Sequence, residues 1–338
     1  MIDLLVAGGG PAGLATALHA HRAGLRVVVA EPRPAPIDKA CGEGLMPPAL
    51  RALTELGVTV DGHPLRGIRY LDRTRLAEAP FAGGPGMGAR RTTLHRAMAR
   101  RAAELGIPVL PVRVAEVRQY ADHVQAAGLR ARYLAAADGL HSPVRRGLGL
   151  DLPDTRPARY GLRRHYAVAP WTDHVEVHWS PGSEAYVTPL GPGLVGVALL
   201  TSRREPFERQ LEDFPALAAR LPAASATTAV RGAGPLRRRV RTRVAGRVLL
   251  VGDAAGYVDA LTGEGISLAL TGAAQLVHCL RTGRPDQYDR AWRRTTRRYR
   301  LLTGSLLWLR GQPALAGRIV PVAARFPAVF ATAVRCLG

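Results

Sequence analysis

Ile2-Asp3-Leu4-Leu5-Val6-Ala7-Gly8-Gly9-Gly10-Pro11-Ala12-Gly13 decides how the rest of this sequence is read. Ile2 to Ala7 is an apolar run rich in β-formers and predicts a buried strand. Leu14 to Ala23 is a run of small and apolar residues, stopped by Gly24, and predicts a helix. Arg26 to Ala30 reads as a second buried strand, closed by Glu31. The order is strand, G-x-G-x-x-G, helix, strand, acid, within about thirty residues. Gly8 permits the tight turn, Gly10 lets backbone approach a pyrophosphate, and Gly13 lets the helix pack on the sheet. Pro11 and Ala12 fall where a helix N-terminus offers free N–H groups and a positive dipole. Glu31, 18 residues after Gly13, is placed to accept hydrogen bonds from a ribose. This pattern predicts dinucleotide binding on a Rossmann-type α/β unit.

Two later blocks choose the dinucleotide. Tyr133 to Ala137 predicts a strand that runs into Asp138-Gly139-Leu140-His141-Ser142-Pro143-Val144-Arg145. Gly246 to Val251 predicts another, ending in Gly252-Asp253-Ala254-Ala255-Gly256. Thr262-Gly263-Glu264-Gly265-Ile266 then opens a helix that runs to about Arg281. With the fingerprint, the A-A-D-G-x-x-S-x-x-R block and the G-D-A-A block in this order, the chain resembles the aromatic-hydroxylase superfamily of FAD-dependent oxidoreductases. The resemblance spans roughly residues 1 to 285. Lys39-Ala40-Cys41-Gly42-Glu43-Gly44 and Leu261 to Ile266 are most similar to the geranylgeranyl-reductase and polyketide-tailoring branch.

The resemblance implies FAD contacts position by position. Asp253, beside Gly252, would bond a ribityl hydroxyl. Gly263 and Gly265 would let backbone pass under the flavin ring. The helix opened by Glu264, Gly265 and Ile266 would aim its N-terminus at the ring's negative charge on reduction. Asp138 and Gly139 would lie beside the pyrophosphate and the route of NADH or NADPH, a transient reductant with no fingerprint of its own. Arg91 would match the arginine that approaches the flavin, and Arg90 is an equal candidate on spacing. Val114 joins the same set. Cys41 and Gly42 would sit near the flavin face, as a matter of position rather than covalent chemistry.

The middle of the chain predicts a second layer. Gly67 to Leu71 and Arg75 to Pro80 read as strands, as do Arg159–Ala169, His174–Trp179, Glu184–Leu190 and Leu194–Leu200. Glu205 to Leu221 reads as one helix and Thr227 to Gly232 as a returning strand. Gly83 to Gly88 reads as a loop or strand break. The expected architecture is a discontinuous FAD-binding domain (1–65, 90–155 and 245–285), an inserted antiparallel substrate sheet (66–89 and 156–244) and a C-terminal helical segment (286–338). Pocket candidates are Tyr186, His178, His165 and Cys41. The polar face of His174, Glu176 and His178 reads as a solvated outer face, and only one of His165 and Tyr166 can point inward.

Composition narrows the alternatives. The 338 residues carry 47 basic and 26 acidic side chains, a net charge of +21. Lys39 is the only lysine, so the excess is arginine, scattered rather than interleaved with aromatics. That argues for coding bias and against nucleic-acid recognition, and leaves a field that favours anionic ligands. Cys41, Cys279 and Cys336 lie far apart, which argues against a structural metal or a disulfide framework. No basic leader and no spanning apolar run is read, so a cytoplasmic protein is expected. Leu301, Leu302, Leu306, Leu307 and Leu309 form an amphipathic stripe near a basic stretch, which serves core packing or a peripheral membrane contact.

The resemblance implies an enzyme in which NAD(P)H reduces FAD and O₂ forms a flavin C4a-hydroperoxide that hydroxylates an aromatic or polyketide substrate in secondary metabolism. The second reading is reduction of isoprenoid double bonds. Those reductases tend to carry Y-x-W-x-F-P, and here Glu184-Ala185-Tyr186-Val187-Thr188-Pro189 keeps only the proline. Flavin-dependent halogenation lacks its W-x-W-x-I-P segment. An arginine-rich binding protein on a nucleotide fold is the reading without catalysis.

Overall fold

Ile2–Ala7 forms the central strand of a sheet ordered Val244–Ala245, Val248–Leu250, Leu129–Ala136, Ile2–Ala7, Val27–Ala30, Val109–Leu110. This computed structural model describes residues 1–335, with 313 and 314 described by backbone alone. The strands that flank Ile2–Ala7 run parallel to it, and its residues from Leu4 onward are fully buried. A strand covered on both faces reads as a continuous apolar run, which is why the sequence shows no alternation there. The helix after the first strand spans Pro11–Arg22 and starts three residues before the expected Leu14. Proline suits the first helical position because it lacks an N–H that would have no partner there. A Cβ on Gly13 would lie 1.8 Å from the Gly8 carbonyl oxygen, so only glycine lets this helix sit so close to the strand end.

The second sheet has seven strands in the order Arg231–Ala233, Tyr160–Tyr166, Leu194–Thr201, Ser183–Gly191, His174–Trp179, Gly67–Leu71, Leu76–Pro80. It is antiparallel except for one pair: His174–Trp179 runs parallel to Gly67–Leu71. Parallel neighbours need a long crossover, and here the whole segment between residues 71 and 174 supplies it. Gly86–Gly88 is a strand rather than a break, paired with both Gly44–Leu45 and His63–Leu65. A Cβ on Gly88 would lie 1.7 Å from the Pro189 carbonyl oxygen, so this glycine is where the small three-stranded sheet presses on the larger one.

Two expectations fail in the outer layer. The helix over Glu205–Leu221 is broken into Phe207–Leu211 and Pro215–Ala218, because Pro215 cannot donate to the preceding turn. The strand at Thr227–Gly232 is displaced to Arg231–Ala233, and Ala226 makes only a single bridge to Tyr166. The C-terminal segment is helical as expected, with main helices at Tyr288–Thr295, Arg297–Arg310, Ile319–Arg325 and Pro327–Arg335. Cys336 lies outside the described residues.

Candidate flavin and substrate site

A cavity of about 430 Å³ lies between the carboxyl ends of the parallel strands and the inner face of the seven-stranded sheet. Gly10, Pro11 and Ala12 line one side of it, at the N-terminus of the first helix. Asp138, Gly139, Gly252, Asp253, Gly263, Gly265 and Ile266 line the same side, although they are far apart in sequence. Gly8 and Gly13 are the turn behind it; Gly8 has φ +105°, and a Cβ there would meet the Ala137 carbonyl oxygen at 2.6 Å.

Glu31 is buried and accepts the Gly9 N–H at 2.8 Å, while Arg33 Nε holds its other oxygen at 2.8 Å. Burial would raise its pKa, but the Arg33 and Gly9 hydrogen bonds outweigh that and hold it below the ordinary glutamate value. Asp253 is paired with Lys39, Nζ to Oδ2 at 2.8 Å. Burial again opposes ionisation, and Lys39 with Arg91 overcomes it, so Asp253 stays an anion. Sequence reasoning passed over Lys39 as a site residue, although its being the only lysine was the available signal.

Arg91 lines the cavity and Arg90 does not, which separates two positions that spacing left equal. The Arg91 side chain is 6% exposed, and its Nη1 has no partner. Its Nη2 lies 3.9 Å from where a Gly10 Cβ would stand. An unpaired buried guanidinium facing a glycine at a helix N-terminus suits an anionic group between them. Val114 is a buried core residue and does not line the cavity. Glu264 also turns away: its carboxylate is buried, one oxygen has no partner, and burial pushes its pKa up to about 7.

Cys41 and Gly42 line the cavity beside Arg91. The low-dielectric surroundings raise the thiol's pKa despite the nearby Arg91, so Cys41 carries its proton at neutral pH. Glu43, which was not singled out, has a left-handed backbone at φ +62°. Its carboxylate accepts the Arg91 backbone N–H at 2.8 Å and lies 2.7 Å from His165 Nε2. His165 is therefore fully buried behind the wall, one shell away from the cavity. Its neighbour Tyr166 faces the other way, into a cluster with Phe207 and Phe214.

Apart from Arg163, the sheet wall is apolar. Ile68, Tyr70, Val175, Val177, Tyr186 and Leu200 face the cavity. The Tyr186 hydroxyl donates to the Leu261 carbonyl at 2.8 Å, so it props the loop that carries Gly263 while its ring meets the cavity. His178 must be withdrawn as a pocket candidate. With Val175 and Val177 turned inward, the strand's alternation turns His178 outward, 3.2 Å from Glu176. That outer face is not simply solvated either: Glu176 is buried, bonded by Arg69 at 3.1 Å and Trp171 at 3.0 Å.

An α/β flavin fold with an inserted sheet over this cavity defines an FAD-dependent oxidoreductase. The chain belongs to the FAD binding domain family, which it matches over residues 1–283. It is 30% identical to the menaquinone reductase of Mycolicibacterium smegmatis, over 86% of this chain and 79% of that protein. It is 29% identical to the digeranylgeranylglycerophospholipid reductase of Methanosarcina acetivorans, over 79% of this chain and 72% of that protein. Among solved structures, a flavoprotein/dehydrogenase from Cytophaga hutchinsonii superposes with a TM-score of 0.79 at 18% identity, over 91% of this chain and 87% of that one. A flavin-dependent brominase superposes with a TM-score of 0.83 at 16% identity, over 99% and 93%. These two likenesses concern the fold alone.

Proposed function

We propose that this chain uses FAD, reduced by NADH or NADPH, to reduce carbon–carbon double bonds in the prenyl chain of a lipid or quinone. The observation that carries this reading is the apolar sheet wall. Strands Gly67–Leu71, His174–Trp179 and Ser183–Gly191 offer the cavity only aliphatic and tyrosine side chains. An aliphatic chain gains about 25 cal/mol per Å² on such a wall, where the polar atoms are few: the Tyr186 hydroxyl is already donated to Leu261, which leaves the Tyr70 hydroxyl and, from strand Tyr160–Tyr166, Arg163. The named relatives act on prenylated molecules, which supports the same order of readings, the reverse of the order the sequence alone suggests.

FAD, when bound and reduced, supplies the two electrons. Gly10, Pro11 and Ala12 would face its pyrophosphate with helix N–H groups, and Asp253, ionised by Lys39, would accept from the ribityl chain. Arg91 would neutralise anionic charge beside them. Ile68, Val175, Tyr70 and Tyr186 would hold the prenyl chain and exclude water. Saturation breaks the π bond and forms two C–H bonds, one by hydride and one by a proton. Cys41 Sγ–H, protonated and on the cavity wall, would hold that proton.

Oxygen transfer to an aromatic or polyketide substrate is the second reading, favoured by the pocket strand, where Glu184 to Pro189 keeps only the proline of the reductases' Y-x-W-x-F-P. The test is mass analysis of geranylgeranyl and menaquinone substrates incubated with FAD-loaded protein and NADPH, with and without air. A gain of two hydrogens per turnover without air is the expected result, slowed about tenfold or more by Cys41→Ser. A gain of one oxygen atom, only in air, would replace this reading with the second.

A further inference from the structure

The last fifty residues carry an unpaired outer face. Leu301 and Trp308, 60% and 59% exposed, share one side of helix Arg297–Arg310. Phe326 and Val329, 54% and 64% exposed, and Val322 are further exposed apolar side chains, on and between helices Ile319–Arg325 and Pro327–Arg335. Between positions 290 and 338 the sequence holds ten arginines and no acidic residue. Among the described residues only two of those arginines find a carboxylate, Arg293 with Asp289 and Arg310 with Glu184. The inner side of the same helices is fully used. Phe330 packs against Tyr70 with the rings tilted and their centroids 4.7 Å apart, and Tyr70 lines the cavity. Val320, Ala323 and Val334 are buried in the same cluster.

We infer that this outer face docks on an anionic lipid bilayer and so places the cavity's sheet wall at the membrane surface. Exposed tryptophan and aliphatic side chains ringed by arginine match the boundary between headgroups and acyl chains. A second copy of the chain is a poor occupant, because the unpaired arginines of this segment would then meet their own like charges. A nucleic acid would satisfy the arginines but leave Leu301, Phe326 and Val329 against phosphate. No helix among the described residues is long and apolar enough to cross a bilayer, so the contact is with one leaflet.

The inference rests on the prenyl-lipid reading only for its purpose, and its test needs neither substrate nor turnover. FAD-loaded protein is sedimented with phosphatidylglycerol vesicles and with phosphatidylcholine vesicles. Binding to the anionic vesicles is expected, together with a blue shift of tryptophan emission. Trp308→Ser with Phe326→Ser should weaken binding about tenfold or more, and Arg297→Gln with Arg298→Gln should do the same. Flavin content reports that each variant is folded. No binding to anionic vesicles, equal binding by the folded variants, or a lipid-free dimer broken by Trp308→Ser would each overturn the inference. If vesicles bind but prenyl substrates stay unreduced, only the functional reading falls.

Discussion

Glu264 shows how one residue's surroundings set its chemistry. Its carboxylate sits at the start of helix Gly265–Arg281 with an unpartnered oxygen, and burial raises its pKa from 4.5 to about 7. The folded protein therefore binds this proton more tightly than the unfolded chain does. Stability attributable to the group is present below pH 4.5, falls as pH rises through about 7, and is constant above. Glu264→Gln removes that loss. Urea unfolding of the two proteins should give similar stabilities near pH 5, with the variant ahead at pH 8 by at most about 3 kcal/mol. A constant difference across that range would show that the carboxyl does not titrate there. The sequence placed Glu264 among the flavin contacts through its glycine neighbours, but those neighbours say nothing of where a side chain points. For the same reason Arg90 and Arg91 could not be told apart, and the Lys39–Asp253 pair, 214 residues apart in sequence, could not be read at all.

Elements with turn chemistry at their ends, or with an unbroken apolar run, were readable. Gly67–Leu71 and His174–Trp179 match their expected bounds, and the fingerprint strand is Ile2–Ala7 as expected. The facing of His174–Trp179 was less accessible, because the strand is buried on both sides, against the cavity and against the Arg69–Glu176–Trp171 network. The broken helix at Pro215 was legible in principle, since proline's missing donor is local information. What no local pattern shows is how elements are tied together. Glu184 is fully buried in the strand Ser183–Gly191 and is held by Arg159 at 2.7 Å and by Arg310 at the end of helix Arg297–Arg310. Arg159 also reaches Asp259 at 3.0 Å. Burial pushes the Glu184 pKa up against the pull of both arginines, so the pairing is what keeps it there. Glu184→Ala leaves Arg310 buried without a carboxylate and should cost about 3–5 kcal/mol in denaturant unfolding. A cost below about 1 kcal/mol would mean that water replaces the pair.

At the scale of the molecule, the +21 charge is partly folded inward. Arg243, from the densest arginine run, is buried with its guanidinium 3.9 Å from the Trp292 ring centre, donating to the Ala255 carbonyl. The two sheets are likewise joined rather than merely adjacent. Thr188 in the seven-stranded sheet donates to the Gly42 carbonyl at 2.8 Å, Arg163 pairs with Asp38, and Tyr186 bonds Leu261. The cavity itself needs both sheets. The chain should therefore unfold as one unit, and FAD should bind only the assembled state. Excess FAD at a hundred times its dissociation constant then adds about 2.7 kcal/mol, or about 4 °C in Tm for a chain of this length. Tryptophan emission reports both layers, since Trp179 lies in the seven-stranded sheet, Trp171 packs beside it, and Trp292 packs behind the parallel sheet. It should change in a single transition that coincides with the rise in free-flavin fluorescence and moves with FAD concentration. Two separated tryptophan transitions, only one of them dependent on FAD, would mean that the seven-stranded sheet stands alone and that the contacts through Thr188, Arg163 and Tyr186 do not couple it to the flavin fold.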